Sequence, residues 1–319
     1  MRPIATPSDA RRSAGVALCL LSAVGFGLMA IFAKEAYAAG LGVTALLAAR
    51  FVLAALVFWA LVAVRRRLRS TALGSAARPA RRVVLACLAL GALGYAAQAG
   101  VFFTALEHID ASLTSLLLYT YPALVFCGAV ALGREHVTTW KAFTLGLVSA
   151  GAALLLLGGG TGRLETTGVV LALAAGAFYA TYILVAEGVL RRIDPLLLGA
   201  LVATGAAATF IAAGVIGGVL QFTAEGWIWI VALATLSTVM PIVTFMLGVQ
   251  RVGASTASFV STFEPVVTVG LAAALYDERL GPLQILGGLL VIAAVLALQV
   301  RGTRALAPPP VAVAGESVG

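Results

Sequence analysis

The chain has 319 residues, of which 61% are hydrophobic and 11% charged, and its formal net charge is +8; the mean hydropathy is +1.06. Soluble domains run at roughly 45–50% apolar and 25% charged residues, so a soluble globular protein is excluded and a polytopic membrane protein is expected. The basic residues cluster between apolar runs, which makes them a topology signal and speaks against a nucleic-acid partner.

Residues 1–13 are polar and carry Arg2, Arg11 and Arg12 just ahead of an apolar run over 14–33. Ala36-Tyr37-Ala38 loosely fits a signal-peptide cleavage site, but a run of about 20 residues has the length of a spanning helix and not of a signal core. Further spans are expected over 43–64, 83–105, 111–132, 139–158, 168–187, 196–219, 227–249, 255–276 and 282–300, which makes about ten helices. Pro308, Pro309 and Pro310 fall in a tail, 301–319, that lacks apolar periodicity and is expected to be disordered.

Arginine placement sets the orientation. Arg2, Arg11 and Arg12, then Arg65, Arg66, Arg67, Arg69, Arg78, Arg81 and Arg82, then Arg134 and Lys141, Arg191 and Arg192, Arg251, and finally Arg301 and Arg304 occupy alternate connections. The opposite connections hold only Lys34, Arg163 and Arg279 and carry acids: Glu107, Asp110, Glu165, Glu225, Asp277 and Glu278. The positive-inside rule then places both termini in the cytoplasm and the chain in the cytoplasmic (inner) membrane as a multi-pass protein.

The segment from Ala105 to Ser115 aligns without gaps onto Gly248 to Ser258, and the same register brings Pro122 onto Pro265 and Glu135 onto Glu278. Upstream, the run opening at Gly15 resembles the run opening at Gly168. The chain therefore reads as two halves, 14–158 and 168–300, of five helices each. An odd number of spans per half forces the second to insert upside down, giving inverted repeats and two related conformations that face opposite sides.

One acid, Glu264, stands in the ninth apolar stretch with Pro265 directly after it. A carboxylate near mid-membrane is expensive and faces a cavity or a partner, and a proline loosens the backbone beside it. The bland alternative is a protonated glutamic acid bonded inside the bundle beside an ordinary proline kink. Pro122 and Pro265 are expected helix breaks, as is Pro241, where Met240-Pro241 reads as a kink with Thr238, Thr244 and Phe245 nearby as candidate cavity residues.

Arg50 is the only basic residue well inside an expected span, at an insertion cost of at least about 2.5–3.5 kcal/mol. It either reaches an anionic group or Glu264, or staples the second helix to its neighbours. Tyr119 and Tyr121 fall in the repeat register on Thr262 and Glu264, so a phenol in one half answers a carboxylate in the other. Tyr95, Gln98, Tyr179 and Tyr182 add aromatic faces and hydrogen-bonding tips suited to a solute with polar and apolar parts; helix anchoring is the structural alternative for each tyrosine. Ser258, Ser261 and Thr262 continue a polar strip beside Glu264, though such residues also join helices in membranes. Glu135 and Glu278 end equivalent helices at opposite faces and read as structural or gating contacts, and Glu187 as a solvated partner of Arg191 and Arg192.

Cys19, Cys87 and Cys127 lie in apolar segments without CxxC spacing, and His108 and His136 fall between segments, so neither a disulfide frame nor a metal site is expected. No Walker-type sequence occurs. No cofactor is expected, and nucleotide hydrolysis by this chain is not its drive.

Ala111-Ser112, Tyr121-Pro122 and Glu135, their counterparts Ala254-Ser255, Glu264-Pro265 and Glu278, Arg50-Phe51, and the glycines Gly287-Gly288 carry a resemblance to the EamA family of the drug/metabolite transporter superfamily. It covers roughly residues 14 to 300. It implies an all-α fold of ten helices in two inverted repeats, a central cavity lined by both halves, and alternating access by rocking. The function expected is a secondary transporter, an exporter of a small organic metabolite such as an amino acid, with Glu264 as the proton-coupling residue if transport is coupled. A multidrug or lipophilic-cation exporter is the alternative: Glu264 favours a cation, Arg50 an anion or zwitterion. A membrane-embedded enzyme or a non-transporting subunit is the remaining reading, and no nucleophile or metal cluster at one depth supports the enzyme.

Overall fold

The computed structural model describes residues 9–70, 79–134, 136–158, 165–190 and 193–304, and these form helices and connections without a strand. In chain order they are α1 (Asp9–Ala38), α2 (Val43–Ser70), α3 (Arg81–Ala89), α4 (Ala96–His108), α5 (Ala111–Leu118), α6 (Tyr121–Ala131), α7 (Thr139–Leu157), α8 (Thr166–Leu190), α9 (Pro195–Gly217), α10 (Gly226–Ala234), α11 (Met240–Ser261), α12 (Glu264–Tyr276) and α13 (Pro282–Arg304). One π-helical stretch, Leu90–Tyr95, joins α3 to α4, and another, Thr235–Val239, joins α10 to α11.

Among the described residues, seven stretches are long and apolar enough to cross a membrane: Arg11–Ala38, Val43–Leu68, Arg81–His108, Ala111–Ala131, Thr166–Ala186, Pro195–Gly217 and Gly226–Gly253. Shorter apolar helices cover Ala142–Leu157, Glu264–Tyr276 and Pro282–Ala297. Leu93, Leu157 and Ile216 stand among the most exposed apolar side chains, on three different helices. An exterior this apolar needs lipid around it, and the chain is a multi-pass membrane protein.

Two stretches expected as single spans are interrupted. The run over 111–132 breaks after α5 at Tyr119 and Thr120, and the run over 255–276 breaks after α11 at Thr262 and Phe263. In both, proline occupies the first turn of the next helix, Pro122 in α6 and Pro265 in α12, where its missing N–H costs nothing but the preceding ladder ends. α11 has a second break at Gly253, whose φ of 82° and ψ of 160° only glycine adopts readily. In the repeat register Gly253 answers Asp110, the extended residue between α4 and α5. The two π-helical stretches fall at overlapping positions of that register, and Pro241 sits two residues past the second of them.

The main helix partnerships cross between the halves. α1 lies on α11 and α8 on α4, α2 lies on α9, α7 on α13, and α5 on α12. Exchanging the halves turns α1 on α11 into α8 on α4 and leaves α2 on α9 and α7 on α13 as they are. Along α2 the contacts step from Phe51 on Phe210 to Trp59 Nε1 donating to Thr204 Oγ1 at 3.1 Å, and then to Arg65 on Asp194 at 2.8 Å. Numbers rise on one helix as they fall on the other, so α2 and α9 run antiparallel. Small residues set the closeness. A Cβ on Gly91 would overlap the Val202 carbonyl, and one on Gly205 would overlap that of Leu88, so the first π-helical stretch and α9 meet at backbone contact.

Candidate functional site

The interrupted helices aim their ends at one place between the halves. Tyr121 opens α6 and Glu264 opens α12, and between these starts lies a cavity of about 100 Å³. α1 closes it: Gly27 lets α12 approach so nearly that a Cβ there would meet the Glu264 carbonyl at 2.9 Å. Phe26, Met29 and Ala30 of α1 consequently face the cavity. Tyr95, Gln98 and Phe102, from the π-helical stretch and α4, line another side, with Ser115, Leu118 and Tyr119 from α5 and its end, and Tyr179 from α8. Thr268, one turn after Glu264, completes the lining and ties α12 to α1 by donating to the Gly27 carbonyl at 2.9 Å.

Glu264 supplies the only formal charge among these lining residues. The Tyr119 hydroxyl lies 3.1 Å from its Oε2 and 3.0 Å from the Ser261 carbonyl. Oε1 has no hydrogen-bond partner among the described residues. Around the carboxylate the rings form a continuous run. Tyr119 meets Tyr121 edge-on at 6.0 Å, Tyr121 meets Tyr179 at 4.6 Å, Tyr179 stacks on Tyr182 at 6.2 Å, and Tyr182 touches Tyr95 at 5.5 Å. The spacing of three between Tyr179 and Tyr182 puts both rings on one face of α8.

Arg50 is housed differently. It is 1% exposed and does not line the cavity. Its Nε donates to Thr238 Oγ1 at 2.9 Å and its Nη2 to Met29 Sδ at 3.5 Å, while Phe51 and Phe103 hold its carbon centre at 5.0 and 4.9 Å from their rings. Nη1 is buried without a partner. No described carboxylate forms an ion pair with it. Arg50 therefore fastens α2 to α1 and to the second π-helical stretch, where Thr238 in turn donates to Leu233 O at 2.7 Å. Of the two readings left open by the sequence, the reach to Glu264 is not made and the tie to neighbouring helices is. Thr238, Thr244 and Phe245 do not line the cavity either; Thr244 bonds back to the Met240 carbonyl at 2.9 Å.

Of the residues singled out by sequence, Tyr95, Gln98, Tyr119, Tyr121, Tyr179 and Glu264 line the cavity and Tyr182 backs it. Thr262 is buried beside the α11–α12 break but does not line it. The side chain of Ser258 lies outside the described residues, as do Glu135 and the side chain of Glu187. Phe26, Met29, Phe102, Ser115 and Thr268 were not anticipated. Thr268 had a signal, its place four residues from Glu264; Phe26 and Met29 had none, because every apolar helix offers such residues.

At the far end of α5, Glu278 forms a second polar cluster. Asp110 makes no side-chain cap for this helix. Glu278 reaches in from the end of α12 instead: Oε1 accepts from Ala111 N at 3.1 Å and Lys34 Nζ at 3.0 Å, and Oε2 accepts from Ser112 N at 3.1 Å and Ser112 Oγ at 2.7 Å. Burial pushes this carboxyl up, but the Ser112 hydroxyl, the Lys34 ammonium and the Ser112 N–H outweigh it and hold it below the ordinary carboxylate value. The cluster joins α1, α5 and α12, and so pins the two halves together at one end.

The profile of the EamA-like transporter family matches residues 13–157 and 166–299. A Bacillus subtilis protein described as an uncharacterized transporter, YcbK, is 29% identical over 216 residues, covering 62% of this chain and 69% of that protein. An uncharacterized transporter of Archaeoglobus fulgidus is 26% identical over 201 residues, covering 61% and 69%. A solved structure, described only as the crystal structure of a protein, is similar with a TM-score of 0.63 at 15% identity over 92% of this chain and 99% of that one. At that identity the likeness concerns the fold alone.

Proposed function

The chain belongs to the EamA-like transporter family, and from that premise we propose that it is a secondary transporter exporting a small organic metabolite across the cytoplasmic membrane by alternating access. In this reading ten spans form two inverted five-helix repeats, the termini face the cytoplasm, and the halves rock about the cavity. The observation that carries it is the placement of Glu264: a carboxylate at a helix break, facing a cavity that residues of both halves line. Broken helices at a repeat interface are where secondary transporters hold their cargo. The antiparallel run of α2 against α9 supports the inversion, since these helices hold equivalent places in the two halves.

The cluster of Glu278, Lys34 and α5 supports a closed end, and the acids and arginines of the connections support its being the outer one. Glu264 is the proposed proton carrier, because it is the one group in the cavity whose charge a proton can cancel. The amino-acid assignment rested on Arg50 and Glu264 together, and the seclusion of Arg50 removes one half of that pair. The test is flux in proteoliposomes of labelled amino acids, sugars, nucleobases and organic cations, with and without a proton gradient. Gradient-driven flux of one class that is lost in Glu264→Gln supports the reading. Flux with unchanged gradient dependence in that variant removes the coupling role, and silence of folded, inserted protein across the panel removes the transport reading.

A further inference from the structure

The cavity is built for one sign of charge. Its lining carries one carboxylate, with Oε1 unpartnered among the described residues, and no basic side chain. The rings of Phe26, Tyr95, Phe102, Tyr119, Tyr121 and Tyr179 make up much of the rest. Aromatic faces are electron-rich and attract cations, the more so once water is excluded. An anion here would meet Glu264 as a like charge in a medium that screens it poorly. Arg50, the nearest candidate to neutralise an anion, is committed to Thr238 and Met29, covered by Phe51 and Phe103, and sealed from solvent. The size is equally selective: about 100 Å³ is well below the roughly 300–1,000 Å³ of pockets that take drug-sized ligands.

Resting on the transporter reading of this site, we propose that the ligand is a compact organic cation, an ammonium on a small apolar or aromatic body. Its head group sits against Glu264 Oε1 and the rings of Tyr121 and Tyr179, and its body lies along the rings of Tyr95 and Phe102. Gln98, Ser115 and Thr268 offer hydrogen bonds to the N–H groups of a primary amine. Tyr119 keeps Oε2 occupied, so the free oxygen is presented in one direction and a single cation suffices to neutralise the site.

The experiment is equilibrium binding to the purified full chain in nanodiscs, using three probes of matched shape: phenethylammonium, the neutral phenethyl alcohol and the anionic hydrocinnamate. The expected result is a preference of at least about tenfold for the cation, equivalent to 1.4 kcal/mol, which falls towards one in Glu264→Gln while the alcohol binds both proteins equally. Retained alcohol binding also certifies that the variant is folded. Tyr179→Phe is expected to keep the preference and Tyr179→Leu to lose several-fold of it, because the ring and not the hydroxyl supplies the attraction. Equal or tighter binding of the anion or the alcohol overturns the proposal, as does absence of cation binding or an undiminished preference in Glu264→Gln. Cation binding without flux would overturn the transporter reading and leave this inference standing; flux of anions alone would do the reverse.

Discussion

Arg50 and Glu264 are both charges carried on apolar helices, and the protein treats them in opposite ways. Arg50 is closed off on all sides by an aromatic pair, a thioether and a threonine, and its bonds tie three elements together. Glu264 opens a helix, keeps one oxygen on Tyr119 and turns towards a cavity. The comparison teaches that the depth of an ionisable residue does not by itself mark a working group. What separates the two is whether the charge faces space that a second molecule can enter.

The comparison can be broken first with isosteric changes. Glu264→Gln preserves shape and removes the charge; transport is expected to fall by roughly 10- to 100-fold, the scale of one charge-assisted contact of about 1.5–3 kcal/mol, read as initial flux per inserted molecule. Arg50→Ala is expected to destabilise by about 2–4 kcal/mol, as a large-to-small change in a filled site, read as thermal unfolding in detergent. Arg50→Met keeps the volume, and because swapping a buried charge for an apolar isostere is often neutral, it is expected to retain both fold and flux.

The Glu278 cluster sharpens the same contrast, being a charge with four partners. Glu278→Ala strips α5 of its cap and leaves Lys34 unpaired, with an expected cost of about 1–3 kcal/mol, and faster hydrogen exchange at Ala111 and Ser112 is the direct readout. The smallest effect is its pH dependence. A carboxyl held below its free value of about 4.3 contributes fully above that pH and loses its contribution as pH falls through the lower, folded value. The protection factors of these amides, exchange rates corrected for the intrinsic pH dependence of amide exchange, are therefore expected to be flat from about pH 5 to 8 and to fall only in acid below about 4.3.

The apolar helices, the two halves and the disturbed backbone at Glu264-Pro265 were legible because apolar run length, a gapless internal match and a lone acid before a proline are local features of the chain. The split of two expected spans at Tyr119 and at Thr262 was only half legible: the prolines announce a disturbance, but whether a helix bends or restarts depends on what satisfies its ends. Which of the two readings of Arg50 holds was not legible, since Met29, Phe103 and Thr238 come from three other elements and nothing in the order of residues states that they converge. The register paired Tyr121 with Glu264, yet the hydroxyl that bonds the carboxylate belongs to Tyr119, because the break turns the chain between them. Neither π-helical stretch was expected from the sequence, although Pro241, whose ring crowds the carbonyl four residues back at Ser237, marks the second.

The most direct test sets the two charges against each other: proton-driven flux of the best-bound cation in Glu264→Gln and Arg50→Met, measured side by side at equal inserted protein. The account predicts that Arg50→Met carries flux near that of the parent and Glu264→Gln carries almost none. The opposite pattern, flux surviving without the Glu264 charge and lost without the Arg50 charge, would contradict it.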